Sequence, residues 1–254
     1  MPEYKALALY AAGQLPFLHA PMPCWVPLAQ RTPSERESRP ITFVGTRDEI
    51  RERLFAEVIQ RGLAVELRGT GWASPTATPA PAPLRAGNPI ELVRRQLAFA
   101  RQHGWTALWR KHTLGRPAVP TMDFAPYAKP APVGDEYWTA LRECAVCLGV
   151  NRYPSWRFPP DHPDTYSRLR DIEAPMAGAC YLTEWTEGLD QLYELDREIE
   201  TYRDAAELVE KSRALIGDAP RRRRMRETAQ ARALTDHAIA ATIQRIAARL
   251  NLSA

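Results

Sequence analysis

Two stretches of this chain hold residues whose types and spacing could do chemistry. The first is the turn Gly45-Thr46-Arg47-Asp48, which closes the β-rich run Ile41 to Val44. Asp48 can cap the helix that follows. A helix N-terminus offers free amides and a partial positive charge, so this turn favours an anion such as a phosphate. The second stretch runs from Asn151 to Glu184. It opens with Asn151, Arg152, Trp156, Arg157 and His162 in a Pro-rich loop. An indole can stack on a base and arginines can meet phosphate. A Pro-rich loop tied down by its own aromatics explains the same residues equally well. Further on, Arg170 and Glu173 stand three apart and share one face of a predicted helix, where the plainest reading is an ion pair. The small-residue turn Ala177-Gly178-Ala179 and the apolar run to Leu182 then predict helix, tight turn and buried strand.

These residues need a frame. Ile41 to Val44 and Ala64 to Leu67 read as strands, joined by a helix with Ile50, Leu54 and Val58 on one stripe and Gly62 just past its end. The second strand runs into Gly69-Thr70-Gly71-Trp72. Strand, helix, strand with short connections begins a parallel sheet, and ligands of such sheets bind at the carboxyl ends of strands. From Asp135 the alternation resumes with a helix over Glu136 to Arg142 and a buried strand over Cys144 to Val150. An edge strand over Glu198 to Tyr202 follows, then a capping box, Asp204-x-x-Glu207, opening a helix that Gly217 ends. A long helix reaches Leu234, and Thr235 or Asp236 caps a last one carrying Ile239, Ile243, Ile246 and Leu250. The run Arg221 to Arg224 is expected to be a solvated helix face.

Residues 73–135 interrupt this pattern. Ser74 to Pro83 is rich in Ala, Pro and Thr, Pro89 to His103 is helical, and Pro117 to Pro132 is broken by prolines. Trp105 and Trp109 continue the helix at a spacing of four, near Arg110, Lys111 and Arg116. Such a cluster can make a partner-facing or membrane-surface patch. The expectation here is the plainer one, tryptophans packed on the main domain. The organisation expected is therefore a lead-in over residues 1–40 and an α/β, Rossmann-like parallel sheet over 41–254. Helices cover both faces, and the helical, Pro-rich insertion spans 73–135.

The segment Arg170-x-x-Glu173-Ala174, then Gly178, an apolar strand and Thr183-Glu184, resembles the donor-binding half of GT-B glycosyltransferases of the group 1 family, most closely the spore-maturation-protein-like branch. Phe43-Val44-Gly45-Thr46 with a following arginine, and Gly69-x-Gly71-Trp72, resembles the opening of that same half. The resemblance implies transfer of a sugar from a nucleotide-diphosphate sugar to an unknown acceptor. It implies that Glu173 accepts hydrogen bonds from ribose hydroxyls. Arg47, Arg51 and Arg170, with the turns at Gly45 and Gly178 and with Asn151, would form the rest of the donor site. The position where the family carries an earlier glutamate is Thr165. No metal or other cofactor is implied, because helix dipoles and arginines can neutralise a diphosphate. A GT-B enzyme also has an acceptor domain. The partners implied are thus the nucleotide-sugar and a separate N-terminal half or a second copy. The alternative is a non-catalytic interaction or regulatory module on the same fold.

Composition sets the outer bounds. The chain has 254 residues, 45% hydrophobic and 25% charged, with a net charge of +4. That is ordinary for a globular protein and too weakly basic for a nucleic-acid binder. There is no long apolar run and hence no transmembrane segment. Cys24, Cys144, Cys147 and Cys180 lack framework spacing, and neither His103 nor His112 has a companion at metal-ligand distance. Free thiols suit a reducing, cytoplasmic setting. No Walker loop and no Gly-x-Ser-x-Gly elbow is present.

Overall fold

Six parallel strands in the order β3-β2-β1-β4-β5-β6 form the sheet. The computed structural model describes residues 7, 10–14, 18–73, 89–113, 122–152 and 165–251. In chain order, β1 (Arg39–Val44) leads through α1 (Glu49–Gln60) to β2 (Glu66–Arg68). A helical hairpin follows, α2 (Pro89–His103) and α3 (Trp105–Thr113), and then β3 (Ala128–Lys129). Next come α4 (Asp135–Arg142), β4 (Cys144–Gly149), α5 (Arg170–Met176), β5 (Tyr181–Glu184), the single turn α6 (Leu189–Leu192) and β6 (Glu200–Tyr202). The chain closes with α7 (Ala205–Gly217), α8 (Ala219–Asp236) and α9 (Ile239–Arg249).

Alternation along the strands builds two cores. Ile41 and Phe43 of β1 and Val146 and Leu148 of β4 face one side, against Leu54, Phe55 and Val58 of α1 and Leu208 and Val209 of α7. Val44 and Cys147 face the other, against Leu141 of α4, Ile172 of α5, and Ala229 and Ala233 of α8. Helices thus cover both faces of a Rossmann-like sheet, as the strand and helix periods predicted. β1 and β4 pair directly, with Thr42 opposite Cys147. The chain leaves them toward opposite edges of the sheet, so their carboxyl ends form the switch point where sheets of this kind bind ligands, here called the crevice.

Several local expectations shift. The Pro-broken stretch supplies a strand, β3, at the edge beside β2, and Phe124 before it is buried edge-on to Trp72, ring centroids 5.4 Å apart. The helix over Pro89 to His103 stops at Gly104, whose φ of 84° suits glycine. Trp105 and Trp109 then start a second helix, and they stand 67% and 61% exposed rather than packed on the domain. The last helix takes Ala238, not Thr235 or Asp236, as its N-cap, without a side-chain bond; Asp236 pairs with Arg232 instead, at 3.5 Å. The arginine run is not a uniform solvated face: Arg222 and Arg226 are buried, while Arg223 is exposed. All four cysteines are buried and free.

Candidate functional site

The crevice is built from the turn after β1, the turn after β4 and the start of α5. The first turn is held by close backbone packing. Gly45 N–H donates to Arg68 O at 2.8 Å, and the Trp72 indole donates to Gly45 O at 2.8 Å. A Cβ on Gly69 would lie 2.1 Å from Gly45 O, so the Gly-x-Gly after β2 lets the two turns touch. Asp48 caps α1, its Oδ1 accepting from Ile50 N and Arg51 N at 3.1 and 2.9 Å.

Arg47 and Arg51, four apart, meet different fates. Arg47 is buried, clamped by Glu52 at 2.7 Å, donating to Gly71 O at 3.2 Å and lying over the Phe124 ring. It ties the β1 turn to the β2 turn. Arg51 reaches back over the crevice: it donates to Thr46 O at 2.8 Å, pairs with Asp48 at 3.3 Å and covers the Phe43 ring. Burial pulls its pKa down, Asp48 opposes this, and Arg168 and Arg170 push down further. Arg168 and Arg170 therefore both bear on Arg51; Arg170 itself, which burial pushes down, is raised by Tyr137, Cys147 and Glu173 around it.

The other wall rests on Asp171. Its buried carboxylate accepts from the Asn151 amide (3.1 and 3.2 Å), Arg168 N (2.9 Å), Ser167 Oγ (3.0 Å), Tyr181 Oη (2.9 Å) and Thr183 Oγ1 (3.1 Å). Burial raises its pKa, and these hydrogen bonds oppose the rise. Gly149 makes room: a Cβ there would stand 2.2 Å from both Thr183 Oγ1 and Tyr181 Oη. Asn151, expected at the ligand, commits its side-chain NH2 to this hub and to Glu184 O at 2.9 Å, while its Oδ1 is buried without a partner. Arg152 is likewise taken by buried Glu184, at 2.5 Å. The loop residues Trp156, Arg157 and His162 lie outside the described residues.

Arg168 donates to Arg152 O at 3.0 Å and lies over the Tyr166 ring. Arg170 pairs with Glu173 at 3.3 Å and lies over the Tyr137 ring. Even so, Arg168 Nε and Arg170 Nη1 are buried without a hydrogen-bond partner. The Tyr137 hydroxyl donates to Glu173 Oε2, and burial pushes that phenol's pKa up. The Glu173 side chain is 16% exposed. Among the described residues nothing is seen to donate to its Oε1.

Gly178 does not join this group. It follows the C-terminus of α5, donating to Pro175 O at 2.8 Å, and its turn leads into the amino end of β5. A helix C-terminus presents carbonyls, not amides, and repels an anion. Gly178, at φ 81°, instead lets α5 approach Gln230 and Pro33. The structure thus brings Gly45, Arg51, Arg170 and Glu173 to one side of the crevice. Arg47 and Asn151 become its supports, and Gly178 goes to the opposite end of the sheet. Sequence reasoning passed over Arg168 and Tyr137 as site residues. Only the Tyr-Ser-Arg-Leu-Arg run hinted at the first, and nothing local pointed to the second. Among the described residues no group of three or more His, Cys, Asp or Glu could hold a metal.

The profile of the family described as glycosyl transferase-like matches residues 92–248, more than half of the chain. Among solved structures, a sucrose-phosphate synthase from Thermosynechococcus elongatus shares 14% identity at a TM-score of 0.52, covering 97% of this chain and 56% of its own. A glycosyltransferase involved in avilamycin A biosynthesis shares 12% at 0.50, covering 96% and 61%. A mutant of S. aureus TarM, in complex with fondaparinux, alpha-GlcNAc-glycerol and UDP, shares 8% at 0.52, covering 98% and 42%. The chain thus spans 42% to 61% of the length of these neighbours. No curated protein sequence matches it.

Proposed function

Because the chain belongs to the glycosyl transferase-like family, we propose that its β1–β4 crevice binds the diphosphate and ribose of a nucleotide-sugar, as the donor half of a glycosyl transfer reaction. The observation that carries this reading is the convergence of Arg51, Arg168 and Arg170, with buried N–H groups left unpartnered. Like charges gathered in a half-buried site are unfavourable in isolation, and an anion between them relieves this. The start of α1 adds its dipole. The leaving group of the reaction is a nucleoside diphosphate, so the same positive charge would stabilise the transition state as the sugar departs. The guanidiniums would then do the task of a divalent cation.

Glu173, one turn beyond Arg170, would accept from the ribose hydroxyls through Oε1, with Tyr137 holding its other oxygen. A UDP-bearing protein of similar fold supports uridine diphosphate as the first ligand to try. The acceptor would be held by a second domain, supplied by further sequence, a separate chain or another copy, since transfer needs both substrates in one water-poor cleft. The Arg-x-x-Glu-Ala segment supports a place in the spore-maturation-protein-like branch as the finer reading. The four buried thiols suit a reducing, cytoplasmic compartment.

Calorimetric titration with UDP- and GDP-sugars tests this. Wild type should bind at least one of them, Arg170→Met and Arg51→Met should weaken binding, and Glu173→Ala should lose the ribose contribution. Equal binding by wild type and Glu173→Ala removes Glu173 from the site; no binding by wild type removes the crevice.

A further inference from the structure

Among its described residues, the hairpin α2–α3 adds none to either core cluster, and Ala100 is its one buried apolar side chain. Its two helices pack chiefly on each other, with the His112 ring 3.4 Å from the Gln96 side chain. Large apolar side chains stand in solvent along both helices. Leu92, Val93 and Leu97 are about half exposed, and Trp105 and Trp109 more so. Val93 and Leu97 are four apart and share one stripe of α2; Trp105 and Trp109 do the same on α3. Arg94 and Arg101 flank the α2 stripe and line a shallow depression with Leu97 and Ala98.

Charge separates the occupants. Between Pro89 and Thr113 the sequence holds Arg94, Arg95, Arg101, Arg110 and Lys111 against the single acid Glu91, a net +4 that equals the charge of the whole chain. The other residues together are neutral. Indoles, aliphatic side chains and arginines without balancing acids fit the zone between lipid phosphates and acyl chains. A protein partner would need an apolar face that is strongly acidic as well.

We propose that this hairpin docks the protein onto an anionic lipid surface, its tryptophans and aliphatic stripe entering the headgroup layer and its arginines meeting lipid phosphates. It lies in the interface and does not span it: no described helix is long and apolar enough to cross a membrane. The proposal goes beyond the donor-binding reading and stands without it, because lipid binding needs no nucleotide.

The test is co-sedimentation of the full chain with vesicles of mixed phosphatidylglycerol and phosphatidylcholine, and of phosphatidylcholine alone. Binding should require the anionic lipid and fall in high salt, since the attraction is screened within a Debye length. Trp105→Ala/Trp109→Ala should bind roughly tenfold or more weakly. Arg94→Glu/Arg101→Glu should bind on the order of 100-fold more weakly. Both variants should unfold at the wild-type temperature, because the side chains they remove are solvent-facing. Absence of wild-type binding to anionic vesicles overturns the proposal, as does wild-type affinity in the tryptophan variant. A concentration-dependent dimer lost in that variant, with no vesicle binding, gives the face to a second copy instead.

Discussion

Two sets of arginines sit at opposite ends of the same sheet, one buried and one half-buried. At the amino ends, Arg222 and Arg226 of α8 are saturated. Both bond Glu37, and between them they donate to the carbonyls of Arg142, Cys144, Ala145, Leu215 and Ile216, leaving only Arg226 Nε without a partner. They staple the lead-in segment and the start of β4 to the last long helices. At the carboxyl ends, Arg168 and Arg170 both press on Arg51, while N–H donors of Arg168 and Arg170 go unused. A saturated cluster is finished and contributes to stability. An unsaturated one costs stability until a ligand completes it. The balance of their partners, more than burial alone, distinguishes the two sets.

The comparison can be broken at its supports. Asp171→Ala should be most damaging, about 4 kcal/mol, because it orphans the Tyr181 and Ser167 hydroxyls and takes one acceptor from the Asn151 amide at once; chemical denaturation reads this. Arg226→Met should cost about 3 kcal/mol by stripping the Arg142 and Cys144 carbonyls of their donor. If it were neutral, the amino-end cluster would not be a staple.

Arg170→Met should behave in the opposite way. Stability should hold or rise by as much as about 1 kcal/mol, while affinity for a nucleoside diphosphate falls roughly 10- to 100-fold. Matched unfolding and titration curves sharpen the contrast. A large stability loss without a binding loss would make the crevice arginines structural too.

The pH dependence gives a smaller effect. The Arg222 hydrogen bond pulls Glu37 below its ordinary 4.5, with burial opposing. Its folded pKa lies below its unfolded one, so its contribution is full above about 4.5 and fades as pH falls through the folded value. The stability gap between wild type and Glu37→Gln should therefore shrink between pH 7 and about pH 3. Last, Arg223→Ala should change stability by no more than about 0.5 kcal/mol, because its pairs with Glu35 and Glu227 are solvent-screened.

Most of the frame was legible. β1, α1, β2, α4, β4, β5 and α7 lie within a few residues of where hydrophobic period, Asp48 and Asp204 caps and Gly62 and Gly217 put them. β3 was not, because two residues among prolines carry no period; Lys129 and Ala128 are a strand only because β2 offers them an edge. The site was half legible. Glycine turns and the Arg-x-x-Glu spacing named Gly45, Arg170 and Glu173, which the fold brings to the same end of the sheet, yet Arg47 and Arg51 look alike in sequence. Glu52 captures the first, and α5 approaches the second.

The sequence by itself determined the parallel α/β frame and the capped helix at Gly45, since each follows from spacing a few residues long. The tertiary structure alone decided which charges find partners. Pairing joins residues as distant as Glu37 and Arg226, or Tyr137 and Glu173, and no local period encodes a contact across the sheet.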